Sequence, residues 1–150
     1  MDHARIRYLE AKRTVDDRAL NRRVRDRLLE SLPSNPAIIE FGAGTGLTVP
    51  RLWSWGVTEG QYRGIDRDET LVAEANRRRP AELSEAGYAV SETEDGFRVG
   101  ADDGLSVRFS VGDALNVERQ AADLVIGHAF ADLVALDALV AAIERVLGPG

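Results

Sequence analysis

A glycine-rich segment lies between a short apolar run and a helix-forming stretch, and its residue types are suited to ligand binding. It reads Glu-Phe-Gly-Ala-Gly-Thr-Gly over residues 40–46. Glycines let a backbone turn sharply and approach a ligand that a Cβ atom would exclude. The helix N-terminus that follows offers unpaired N–H groups and a positive dipole. The segment predicts a ligand-binding loop, and a tight strand-to-helix connection is the alternative.

Two aspartates follow later apolar runs in positions that favour the same ligand. Asp66 ends the second predicted strand, where an acid in such folds accepts hydrogen bonds from ribose hydroxyls. Asp113 ends the third buried run, and a carboxylate there can accept from the exocyclic amine of an adenine. The alternatives are a solvated strand end or helix cap for Asp66 and a turn residue for Asp113.

Helix and strand patterns alternate from residue 37 onward, which is typical of a doubly wound, Rossmann-like α/β fold with a mainly parallel sheet. Turn signals around residues 88–99 predict a β-hairpin insertion. The predicted strands cover residues 37–41, 62–66, 106–111 and 123–128, and the predicted helices cover 47–55, 68–79 and 132–147. Residues 1–33 form a predicted helical segment, with Thr14 as its N-cap, and residues 34–150 form the α/β domain.

Four of these spaced elements together resemble the class I S-adenosylmethionine-dependent methyltransferases. They are the glycine loop with its preceding acid, Gly64-Ile65-Asp66, Gly112-Asp113-Ala114, and the strand at residues 122–128. The resemblance implies that S-adenosyl-L-methionine lies across the carboxyl ends of the strands. The cofactor-binding residues that it implies are Glu40, Gly42, Ala43, Gly44, Gly46, Asp66, Arg67, Asp113, Ala114 and His128.

A nicotinamide-dinucleotide domain shares this architecture and is the nearest competitor. Its loop has the pattern G-x-G-x-x-G, and the position of its third glycine is Leu47 here. A carboxylate at Glu40 suits a ligand with an α-ammonium group and would repel a pyrophosphate. The residues therefore favour the sulfonium cofactor.

The candidate for general base is His128, at the end of the last predicted strand. A neutral imidazole can take a proton from a hydroxyl acceptor. A structural hydrogen bond or a cofactor contact is the alternative role for this residue. No pair of histidines or acids has the spacing of metal ligands, so no metal site is predicted.

The composition of the chain limits the kinds of substrate and cellular location that we expect. The net charge of -6 disfavours a nucleic-acid substrate, because phosphate neutralisation requires a basic surface. The chain has no cysteine, no span apolar enough for a bilayer and no secretory signal pattern, so a cytoplasmic location is the default. A small-molecule methyl acceptor is therefore expected.

The resembled family usually has a seven-stranded sheet, and the C-terminal strands of the full fold are not found in this sequence. The fourth parallel strand is then expected at an open edge, which a missing C-terminal segment or a second copy would cover. Because the predicted sheet has fewer strands than the family's, a second hypothesis stays open. In it, the chain is a cofactor-binding or interaction module without catalytic turnover of its own.

Overall fold

The computed structural model describes residues 22–113 and 122–127. The described chain contains three helices and six strands. The helices are α1 (Arg22–Ser31), α2 (Thr48–Ser54) and α3 (Glu69–Glu85), and the strands are β1 (Ala37–Phe41), β2 (Gly60–Asp66), β3 (Val90–Glu92), β4 (Phe97–Val99), β5 (Leu105–Val111) and β6 (Leu124–Ile126). The predicted N-cap Thr14 and the predicted helix over residues 132–147 lie outside the described residues.

The described strands form one mixed sheet with the order β3-β4-β5-β2-β1-β6. The four strands β5, β2, β1 and β6 are parallel, and the hairpin β3–β4 adds two antiparallel strands beside β5. The prediction of a doubly wound, mainly parallel sheet with a hairpin insertion is confirmed. Within the described chain, β6 is the last strand on its side of the sheet.

The burial patterns of β1 and β5 reflect their places in the sheet. Residues 38–41 of β1 are all buried, as expected for a central parallel strand covered on both faces. In β5, buried Leu105, Val107 and Phe109 alternate with partly buried polar residues, so one face of this strand is packed more closely than the other. The helices α2 and α3 contribute Val49, Leu52, Val72, Ala75 and Leu83 to that packed face.

The start of β6 is attached to the start of β1 by two hydrogen bonds. The backbone N–H of Ala37 donates to Oδ2 of Asp123 at 2.9 Å, and the N–H of Asp123 donates to the carbonyl of Ala37 at 2.8 Å. The pairing then continues from Ile38 opposite Leu124 to Glu40 opposite Ile126. These contacts join segments that lie 86 residues apart in the sequence.

The sequence prediction ended α3 at Arg79, and this boundary is wrong. The helix continues through Pro80 to Glu85. A proline inside a helix removes one hydrogen bond and is costly. Leu83, in the following turn, is buried in the core, and burying such a side chain stabilises the continuation by about 1.5–3 kcal/mol.

The N-terminus of α3 is capped by Asp68. Its Oδ1 accepts from the backbone N–H groups of Thr70 at 2.9 Å and Leu71 at 3.3 Å. We expect Asp68→Ala to lower the free energy of unfolding by about 1 kcal/mol, because these N–H groups lose their acceptor. Urea denaturation of the variant measures the change, and Asp68→Asn, which retains a capping oxygen, serves as the control.

Candidate functional site

The glycine loop is attached to the carboxyl end of β2. The backbone N–H groups of Gly42 and Ala43 both donate to the carbonyl of Ile65, at 2.9 and 3.0 Å, and the N–H of Gly46 donates to the carbonyl of Ala43 at 3.0 Å. The loop therefore lies over the same edge of the sheet at which Asp66 ends β2.

Two glycines of the loop have different surroundings. Gly44 has a φ of +58°, and a Cβ atom built there would meet nothing within 4 Å. Gly46 has a φ of +80°, and its Cβ would lie 2.7 Å from Cε1 of Phe109 and 3.1 Å from Cγ of Arg79. Gly46 is therefore required for close packing of the loop on the core. At Gly44 the left-handed backbone requires a glycine, and the space beside it is open to a ligand.

The carboxylate of Asp66 joins the glycine loop to the start of α3. Its Oδ2 accepts from the N–H of Gly44 at 2.9 Å, and its Oδ1 accepts from the N–H of Asp68 at 2.9 Å. A carboxylate has about four acceptor positions, so about two remain for further donors. Because the residue is half-buried beside the open space at Gly44, the arrangement suits two hydroxyl donors on one ligand.

Glu40 lies below the loop in a buried hydrogen-bonded group. Its Oε1 accepts from the hydroxyl of Tyr62 at 2.5 Å, and its Oε2 accepts from the hydroxyl of Thr48 at 2.7 Å. Burial raises the pKa of Glu40 from 4.5 to about 7, although both hydroxyl donors act in the opposite direction. Burial also raises the pKa of Tyr62, and the neighbouring Glu40 raises it further. In this geometry Glu40 ties α2 to β2, and its predicted contact with a ligand ammonium stays a prediction.

The remaining predicted site residues are distributed around the same edge. Arg67 follows Asp66 and is exposed. Asp113 follows Gly112, whose N–H donates to the carbonyl of Asp66 at 2.9 Å, so the end of β5 is brought beside the end of β2. Ala114 and His128 lie outside the described residues.

Several residues around the loop were missed by the sequence analysis. Tyr62 and Thr48 bind Glu40, while Phe109 and the fully buried Arg79 pack behind Gly46. Tyr62 could have been found from the parallel register of β1 and β2. In that register Glu40 lies opposite Gly64, so Tyr62 is on the same face of the sheet as Glu40. Strand boundaries from sequence are too imprecise to establish that register.

Three features of this edge could accommodate a polar ligand. The space at Gly44, the free acceptor capacity of Asp66 and the buried hydroxyl of Thr45, which has no hydrogen-bond partner among the described residues, point to a ligand with several polar groups. The described part of the chain contains no cluster of three or more histidine or acidic side chains able to hold a metal ion. It also contains no helix with the length and hydropathy needed to cross a membrane.

Solved structures of S-adenosylmethionine-dependent methyltransferases share this fold. A TehB-like methyltransferase from Corynebacterium glutamicum has a TM-score of 0.55 and 20% identity, over 95% of this chain and 66% of that chain. Geranyl diphosphate C-methyltransferase from Streptomyces coelicolor, in complex with S-adenosyl-L-homocysteine, has a TM-score of 0.55 and 18% identity, over 83% of this chain and 41% of that chain. The [4+2]-cyclase SpnF has a TM-score of 0.55 and 22% identity, over 85% of this chain and 41% of that chain.

These similarities establish the fold. No protein-family model and no curated protein matches the chain. The chain spans between 41% and 66% of the length of these three structures. The chain therefore shares the fold of these three structures over part of their length.

Proposed function

We propose that this chain binds S-adenosyl-L-methionine at the carboxyl ends of β1, β2 and β5 and is the cofactor-binding part of a small-molecule methyltransferase. The observation that carries the proposal is the hydrogen bond from Gly44 to Asp66, which couples the glycine loop to the strand-end acid. The shared fold of the methyltransferase structures supports it.

When bound, this cofactor supplies a methyl group already activated by its sulfonium. The task of the protein is then to hold cofactor and acceptor in line. In the proposal, Asp66 accepts from the two ribose hydroxyls, and Arg67 lies along the adenine. Asp113 accepts from the adenine amine, and Ala114 supplies the adjacent backbone N–H.

The methionine part is proposed to lie over Gly42, Ala43, Gly44 and Gly46, whose backbone admits close approach. Glu40 is proposed to act on this end of the cofactor from below the loop, since its carboxylate is nearly inaccessible at 4% exposure. His128 is the proposed general base for an acceptor that must lose a proton.

Isothermal titration calorimetry with S-adenosyl-L-homocysteine tests the binding proposal. We expect saturable one-to-one binding, and we expect NAD to bind more weakly because the position of the third glycine in the dinucleotide-binding pattern is Leu47 here. Preferential binding of NAD, or no binding of either ligand to folded protein, would contradict the proposal.

A second candidate function is a cofactor-binding module that does not transfer methyl groups. It is favoured by SpnF, a cyclase with the same fold and a TM-score of 0.55. Incubation with radiolabelled S-adenosyl-L-methionine and a pool of small-molecule acceptors separates the two. Label transferred by the chain excludes the module, whereas tight S-adenosyl-L-homocysteine binding without any transfer supports it.

A further inference from the structure

Four backbone N–H groups of the glycine loop already donate within the protein. Their acceptors are two carbonyl groups and the carboxylate of Asp66, and the donors are Gly42, Ala43, Gly44 and Gly46. Loops that bind phosphate instead point several such N–H groups at the anion. This loop therefore suits a cationic or neutral ligand group better than an anionic one.

The buried carboxyl group of Glu40 lies directly under this loop. A Cβ atom built at Gly64 would lie 2.8 Å from Cβ of Ala43, in the loop, and 2.9 Å from the hydroxyl of Tyr62. The same hydroxyl donates to Oε1 of Glu40. Because Gly64 has no side chain, the loop lies on the hydrogen-bonded group of Glu40, and a charge on that carboxyl acts on a ligand group that the loop holds.

The hydroxyl partners of Glu40 are compatible with both of its protonation states. As a carboxylate it accepts from Tyr62 and Thr48, and as a carboxylic acid it can donate to one of the same oxygens once that hydroxyl turns. Burial raises the pKa of Glu40 to about 7, and burial also raises the pKa of Tyr62. The proton that exchanges near neutral pH therefore belongs to Glu40, and the phenol of Tyr62 keeps its own.

Two charged side chains act on Glu40 from the elements packed around it. Arg51, on α2, lowers the pKa of Glu40, and Asp66, at the end of β2, raises it. The paired segment of β6, from Leu124 to Ile126, carries no titratable side chain. A ligand cation on the loop would act in the same direction as Arg51, so it would favour the ionised carboxylate.

We propose that Glu40 releases its proton to solvent when a positively charged ligand group binds on the glycine loop, so that this half of the site selects for a cation and depends on pH. This inference rests on the proposed binding of S-adenosyl-L-methionine, whose amino acid part carries an α-ammonium group. Binding and proton release are linked, so the affinity rises with pH until Glu40 is ionised in the free chain as well.

Calorimetry with S-adenosyl-L-homocysteine and 5′-methylthioadenosine, each at pH 6 and pH 8, tests this linkage. The two ligands share the nucleoside and the thioether sulfur, but only the first has the ammonium group. We expect S-adenosyl-L-homocysteine to bind about tenfold more tightly at pH 8, as for a group of pKa about 7 that must be ionised for tight binding. The affinity for 5′-methylthioadenosine should change less than twofold.

The proton itself can be counted by repeating the titration in buffers of different ionisation enthalpy. At pH 6 the wild-type chain should release about one proton for each S-adenosyl-L-homocysteine bound, and at pH 8 it should release much less. Glu40→Gln should bind this ligand equally well at both pH values and release no proton. Glu92→Gln, an exposed glutamate on β3, is the matched control and should behave as wild type.

A second variant tests the same linkage if Glu40→Gln does not fold. Thr48→Val removes one of the two hydroxyl donors that lower the pKa of Glu40. We therefore expect the rise in affinity to occur at a higher pH in this variant than in wild type.

Three results would overturn the inference and leave cofactor binding intact. They are an affinity for S-adenosyl-L-homocysteine that is the same at both pH values, an equal pH dependence for 5′-methylthioadenosine, and a pH dependence that persists in Glu40→Gln. The absence of S-adenosyl-L-homocysteine binding at both pH values would overturn the proposed function together with this inference.

Discussion

Asp66→Ala is expected to weaken S-adenosyl-L-homocysteine binding by one to two orders of magnitude. The variant loses charge-assisted hydrogen bonds to the ribose hydroxyls, worth about 1.5–3 kcal/mol each at most, and about 1.4 kcal/mol corresponds to a factor of ten. It also frees the N–H of Gly44, so the loop is less well positioned before the ligand arrives. Calorimetry on folded variant and wild-type protein measures the change.

The neighbouring Asp68 provides the control for this experiment. It lies two residues further on and also accepts backbone N–H groups, but it caps α3 instead of holding the loop. We expect Asp68→Ala to lose stability and keep its affinity, and Asp66→Ala, which also loses two backbone hydrogen bonds, to lose a similar amount of stability and in addition its affinity. If Asp66→Ala instead unfolds the protein while its folded fraction binds normally, Asp66 is a structural residue and the proposed cofactor placement is wrong.

Glu40→Gln is expected to remove a pH dependence from the stability of the chain. The folded protein binds a proton at Glu40 up to a pKa of about 7, whereas the unfolded chain releases it near 4.5. The native state therefore holds more protons between these values, and this group makes stability fall as the pH rises through that window. At 1.36 kcal/mol per pKa unit, the stability of wild type relative to Glu40→Gln should fall by about 2.5 kcal/mol from pH 5 to pH 8.

Urea denaturation of both proteins at pH 5 and pH 8 measures this difference, and other titrating groups cancel in the comparison. Glutamine keeps the size of the side chain and its Oε1 can still accept from Tyr62. Glu92→Gln, an exposed glutamate on β3, is the charge control and should show no such difference. If the free energies of unfolding of wild type and Glu40→Gln differ by the same amount at both pH values, Glu40 does not hold its proton to neutral pH.

Features that depend on local chemistry could be predicted from the sequence. The glycine loop between strand and helix, the N-cap at Asp68 and the hairpin turn near Gly96 each follow from a few neighbouring residues. The exception was Pro80, where a local rule ended α3 early because the burial of Leu83 was not visible in the sequence.

Features that depend on the pairing of distant strands could not be predicted. Tyr62 reaches Glu40 only because of the register between β1 and β2, and a one-residue slip would put the phenol on the opposite face. The sequence therefore indicated the ligand loop but not the buried hydrogen-bonded group beneath it.

The attachment of β6 to β1 has a consequence for the order in which the chain folds. During synthesis, β1 emerges early and can pair with β2 on one side, but its other partner emerges only after another 86 residues. Contacts of such high sequence separation form late, because closing the long loop costs conformational entropy before the contacts can stabilise the chain. The other flank of β1 is thus exposed on the nascent chain until Asp123 arrives. We expect a ribosome-bound chain that stops short of Asp123 to recruit chaperones far more strongly than one that extends well beyond β6.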